Sequence, residues 1–202
     1  MAQQNKHLMT QLLVGTGITS AATYMSLPFL AIFLSVNTHL TETVIGFIVG
    51  SASLAGIIGG SLSAKLSDKL GRHFLLLLFL SGITFSFLGF SLFSTEHNKA
   101  ITVIAFSVIN FILGFCLYAF TPISQALLSE ITPLHLKNKI FQWRYFAVNV
   151  GAAIGPFLSV IFNLSSHNDG FLISAVVFFA YMIALGNLIK KQSSKNFAAS
   201  IN

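Results

Sequence analysis

Six apolar runs, each near the length of a bilayer crossing and set close together, leave little room for any other architecture. They lie at about 9–34, 43–64, 73–93, 100–128, 140–162 and 171–188. About 20 apolar residues in a helix cross the hydrocarbon core of a membrane. Membrane strands are short and alternate polar with apolar positions, whereas Phe74-Leu75-Leu76-Leu77-Leu78-Phe79-Leu80 is apolar on every face. A segment of that kind satisfies its backbone in lipid only as a helix. With 54% hydrophobic and 8% charged residues, the chain cannot supply the charged surface of a water-soluble domain. The expectation is an all-α membrane protein in which residues 1–202 form a single six-helix unit and 189–202 a cytoplasmic tail. The first run is too long, and too weakly basic at its start, for a cleaved signal peptide, so it reads as a retained helix.

The charges predict an orientation. Lys6 precedes the first run; Lys65, Lys69 and Arg72 lie between the second and third; Lys137 and Lys139 between the fourth and fifth; Lys190, Lys191 and Lys195 after the sixth. Alternating helices bring all of these to one side. Glu42, Glu96, Lys99 and Asp169 fall on the other. Lys and Arg favour the cytoplasmic side, so both termini are expected there. The net charge of +6 then describes a solvated face against the lipid bilayer and calls for no nucleic acid.

Nothing in the pattern calls for a cofactor, a metal or an enzyme. Cys116 is a lone cysteine within the fourth run, and the six His residues lie in or beside loops with no His or Cys partner at ligand spacing. No nucleophile–base pair falls within the runs.

Small residues add a second layer. Gly46, Gly50, Ser53, Gly60 and Ala64 recur along one face of the second run, and Gly46 and Gly50, like Gly151 and Gly155, have the spacing that lets helices approach closely. Static packing and a sliding surface both fit the stripe. Pro156 leaves the carbonyl four residues earlier without its helical partner. Runs one and four each carry a Pro in their latter part, Pro28 and Pro122, a weak sign of a three-helix repeat.

The hairpin Ala64-Lys65-Leu66-Ser67-Asp68-Lys69-Leu70-Gly71-Arg72-His73 is the most distinctive segment. On one helical turn, Asp68 and Arg72 have the spacing to pair. Leu66, Ser67, Asp68, Lys69, Gly71 and Arg72 match a loop signature between the second and third helices of the major facilitator superfamily. Gly151-Ala152-Ala153-Ile154-Gly155-Pro156 resembles the signature on the fifth helix of that family's antiporters, though Phe157 and Val160 are bulkier than its later positions. The chain is therefore identified as similar to the amino-terminal half of a drug–proton antiporter-like facilitator. The resemblance implies two inverted three-helix repeats, a cytoplasmic latch at Asp68, Lys69, Gly71 and Arg72, and a bacterial inner-membrane location. It also makes the final residues the start of a loop between two halves.

Arg144 is the one charge set well inside a run. It fits either snorkelling to the interface or a charge network with Glu130. Asn110 stands where such antiporters carry an Arg. Tyr24, Asn110, Tyr118 and Asn149 are candidates either to line a cavity or to bond a neighbouring helix. No Asp or Glu falls within a run, so the titrating group that proton coupling needs would come from elsewhere. The favoured reading is a facilitator-type efflux transporter of a small solute, seen as a half or truncated chain that takes a second six-helix half. A homodimeric six-helix carrier and a non-transporting interaction or regulatory protein, including a gene-decay remnant, are the alternatives. The solute itself is not specified by these residues.

Overall fold

A computed structural model describes residues 2–93 and 98–201, with side chains described over 6–93 and 98–191. Glu96 and the Lys195 side chain, both used to argue orientation, lie outside these residues. Seven α-helices follow one another: α1 (Ala2–Ser26), α2 (Leu30–Asn37), α3 (Glu42–Leu70), α4 (Arg72–Leu92), α5 (Lys99–Ile131), α6 (Lys137–Ile161) and α7 (Asp169–Ile201). The first two make one span, so six helical segments among the described residues are long and apolar enough to cross a membrane.

The first span breaks at Pro28. A 3-10 turn, Leu27–Phe29, separates α1 from α2, because proline has no amide hydrogen to continue the α-helical ladder. Pro122 and Pro156 are accommodated inside α5 and α6, which run on unbroken. Helix α3 continues to Leu70, past the expected end of its apolar run at 64. Hydropathy marks where lipid contact stops, while Lys65 and Lys69 are good helix formers that keep the ladder going. It ends at Gly71, where φ is +84°, a conformation that glycine adopts without strain. Helix α7 likewise runs through 189–201, where the sequence suggests a tail or loop. Asn98 caps α5, its side chain accepting from the Ala100 amide at 3.0 Å. Hydroxyls inside the spans bond back to their own helices, as Thr19 does to the Gly15 carbonyl and Thr84 to that of Leu80. No water is available to them at that depth.

The helices pack in the order α3 on α5, α5 on α4, α4 on α7, α7 on α1, and α1 on α6. Exchanging α1 with α5, α3 with α6 and α4 with α7 leaves that order unchanged. The unit therefore consists of two three-helix repeats. Because each repeat has an odd number of spans, the second enters the membrane from the opposite side and the repeats are inverted.

The core is apolar and rich in phenylalanine. Phe33, Phe90, Phe106 and Phe171 form a connected set of ring contacts with centroids 5.2–6.1 Å apart, joining α2, α4, α5 and α7 at the end away from the α3–α4 hairpin. That end is also tied by polar bonds. Asn37 donates to the Ser166 carbonyl at 2.9 Å, and Asn168 to that of Ser91 at 3.1 Å. The Ser26 and Ser174 hydroxyls lie 2.7 Å apart and donate to the Gly170 and Ala22 carbonyls, joining α1 to α7.

Candidate functional site

The hairpin residues separate into two sets. Asp68 and Lys69 are exposed on the last turn of α3. Arg72 opens α4, and its guanidinium pairs with the Glu130 carboxylate on the last turn of α5 at 2.5 Å. This is the one ion pair among the described residues. It corrects two expectations. Asp68 and Arg72 do not share a helical turn, because Gly71 ends one helix and the next begins after it. Glu130 is engaged by Arg72, so no charge network with Arg144 forms. Sequence reasoning missed the Arg72–Glu130 pair, although Glu130 was the one acid expected at that end of the fourth run.

Arg144 is 6% exposed and has no ion pair or hydrogen bond among the described residues. Snorkelling to the surface is thus not its arrangement. The reason is its register. Gly151 and Gly155, on the same face of α6, lie so close to α1 that a Cβ on either would come 2.5 Å from the carbonyl oxygen of Gly17 or Ala21. That contact turns the Arg144 side chain inward with them. Pro156 lies between this packed face and lipid, half-buried.

The equivalent contact in the other repeat is made by Gly59 and Gly114, which bring α3 and α5 together with no room for a side chain. The glycines expected to pack from the second run do not. A Cβ added at Gly46 or Gly50 would meet nothing within 4 Å, and both face outward, away from α5.

Asn110 is not a cavity residue. It is 2% exposed, and its side-chain amide donates to the Ile48 carbonyl at 2.8 Å and the Val49 carbonyl at 3.1 Å, joining α5 to α3. Tyr24, Tyr118 and Asn149 remain exposed on α1, α5 and α6. Asn149 donates to the Tyr145 carbonyl of its own helix, and the Tyr118 ring lies against Gly56 of α3. The two tyrosines occupy matching places in the repeats: each precedes by four residues the proline of its helix, Pro28 or Pro122. The amide that would bond each tyrosine carbonyl is therefore missing. Cys116 is buried against Gly82 of α4, and no three His, Cys, Asp or Glu side chains converge among the described residues. A groove of about 420 Å³ at the other end, lined by His39, Val44, Lys99 and Val103 among others, holds none of the candidate residues.

The sequence profile of the Major Facilitator Superfamily matches residues 12–199, nearly the whole chain. The chain belongs to the major facilitator superfamily. Among curated facilitators it is similar to an uncharacterized MFS-type transporter, YqjV, of Bacillus subtilis, at 33% identity over 91% of this chain and 43% of the relative. A multi-drug resistance efflux pump PmrA homolog of Lactococcus lactis is 29% identical over 75% of this chain and 36% of its own length. The chain thus spans less than half the length of these facilitators. The crystal structure of a D-xylose–proton symporter shares the fold, with a TM-score of 0.76 at 18% identity over 96% of this chain and 52% of that one. The chain is an integral membrane protein with the facilitator fold.

Proposed function

We propose that this six-helix unit carries a small solute across the bacterial inner membrane, as the amino-terminal half of a facilitator of the efflux type. The observation that supports this most is the inverted pairing of its two three-helix repeats, the construction on which alternating access is built. In this reading the basic end, with Lys65, Lys69, Arg72, Lys137 and Lys190, faces the cytoplasm together with both termini. Asp68, Lys69, Gly71 and the Arg72–Glu130 pair form the latch that holds that end closed. Tyr24, Tyr118 and Asn149 line the solute path. A second six-helix unit approaches along the open Gly46–Gly50 face of α3, where backbones can come close, and supplies the titrating carboxylate that a proton-coupled cycle needs.

The test is flux in proteoliposomes holding the chain with a complementary six-helix half, using ethidium, a quinolone and 4-hydroxybenzoate as probes. Gradient-driven movement of one probe above empty liposomes is expected, reduced by Asp68→Asn. Absence of flux for every probe, with no cross-linked partner or second copy at Gly46→Cys, would leave a non-transporting membrane protein as the correct reading.

A further inference from the structure

Arg144 is the one buried charged residue among the described residues. It sits seven residues into α6 (Lys137–Ile161), about 10 Å along the helix from the basic end. Three helices wall it in. Its own helix packs on α1 through Ala147, Gly151 and Gly155, and the Tyr181 ring of α7 lies against Gly15 of α1, two residues before the Gly17 that Ala147 touches. The guanidinium is within electrostatic reach of the Tyr145 and Tyr181 phenols. Its Nε is fully enclosed and has no partner. The Tyr181 side chain is 8% exposed, and its hydroxyl likewise makes no hydrogen bond among the described residues.

A guanidinium stays charged in any protein setting, so it cannot escape burial by losing its proton. An unpaired charge at this depth is strongly unfavourable. Spans retain such a group where it meets a partner that neutralises it. None of the described carboxylates is in place to do so: Glu130 is held by Arg72, Asp68 lies on the exposed end of α3, and Glu42 and Asp169 belong to the opposite end. The fork of N–H donors matches the two oxygens of a carboxylate or phosphate, and the neighbouring phenol can add a third donor.

We propose that Arg144 and Tyr181 form an oxyanion-binding site between α1, α6 and α7, entered from the basic end and taking a carboxylate or phosphate group from a soluble anion or a lipid headgroup. The site rests on the geometry of this unit alone, so it stands or falls separately from the transport reading.

Trp143, the one tryptophan of the chain, is adjacent and serves as the reporter. The whole chain is titrated with benzoate and with inorganic phosphate in neutral detergent, following Trp143 emission and melting temperature. It is also compared in nanodiscs of phosphatidylcholine with and without phosphatidylglycerol. Saturable emission changes with a raised melting temperature are expected. A response to benzoate or phosphate identifies a soluble anion, and a response to phosphatidylglycerol alone identifies a headgroup. Arg144→Gln should weaken binding about tenfold or more and, with no anion present, melt higher than the parent, because an unpaired buried charge has been removed. Arg144→Lys should retain weak binding, and Tyr181→Phe should weaken it about threefold. Identical emission and melting with and without every probe would overturn the proposal. So would an Arg144→Gln protein that binds like the parent, or that melts lower without anion.

Discussion

At Gly71 the constraint is the backbone and not the space. Nothing lies within 4 Å of the position a Cβ would take, yet φ is +84°. Gly71→Ala should therefore destabilise by about 1 kcal/mol through strain alone, read as a lower melting temperature with the fold intact. Gly155 is the reverse case, with ordinary helical geometry and the α1 backbone pressed against it. Gly155→Val should lower the melting temperature far more than Gly46→Val, which points into open space. An equal effect of the two valines would contradict the packing order. The Arg72 and Glu130 side chains are 31% and 56% exposed, so their pair is solvated and worth about 1 kcal/mol or less. A double-mutant cycle with Arg72→Ala and Glu130→Ala should give a small coupling of that size. The matching cycle with Asp68→Ala in place of Glu130→Ala should give none.

Between elements, two kinds of contact hold the spans in register: glycine-mediated close approach and buried polar bonds. The bond from Asn110 to the Ile48 carbonyl should be worth about 1 kcal/mol, so Asn110→Ala should loosen α3 from α5 and lower the melting temperature without altering insertion. The Ser26 and Ser174 hydroxyls, 2.7 Å apart across α1 and α7, place their backbones within disulfide range. Ser26→Cys with Ser174→Cys in a Cys116→Ala background should cross-link on mild oxidation, seen as a shift in gel mobility. Failure to cross-link would remove α7 from beside α1. Hydropathy located these spans well, because a long apolar run has one outcome in lipid. It could not locate their ends, since helix α3 outlasts its apolar run by six residues, from 64 to Leu70. Nor could it tell which glycines pack. Gly46–Gly50 and Gly56–Gly59 lie on one helix, and the direction each pair faces decides which of them packs. Asn110 was ambiguous for the same reason: a polar side chain inside a span fits a cavity or a neighbour's carbonyl equally, until the neighbour is placed. The Arg72–Glu130 pair joins residues 58 positions apart, beyond any local spacing rule.

For the molecule as a whole, the basic residues at one end make the topology testable. A cysteine at Asp169 should be labelled by an impermeant reagent from outside the cell, and cysteines at Lys69 and Lys137 should not. Labelling at Lys69 would invert the proposed orientation. The two ends also differ mechanically. Away from the hairpin, four phenylalanines in mutual ring contact, two asparagine bonds and a serine pair bind α1, α2, α4, α5 and α7 to one another and to the intervening loop. At the hairpin end, among the described residues, a solvated ion pair joins α4 to α5 beside the buried aliphatic side chains of Leu75, Leu76, Leu127 and Leu128. Such a body is clamped at one end like a bundle of rods in a vice. Aliphatic side chains slide past one another more readily than rings tied in by hydrogen bonds, so relative movement of the helices is expected to be larger at the hairpin end than at the aromatic one.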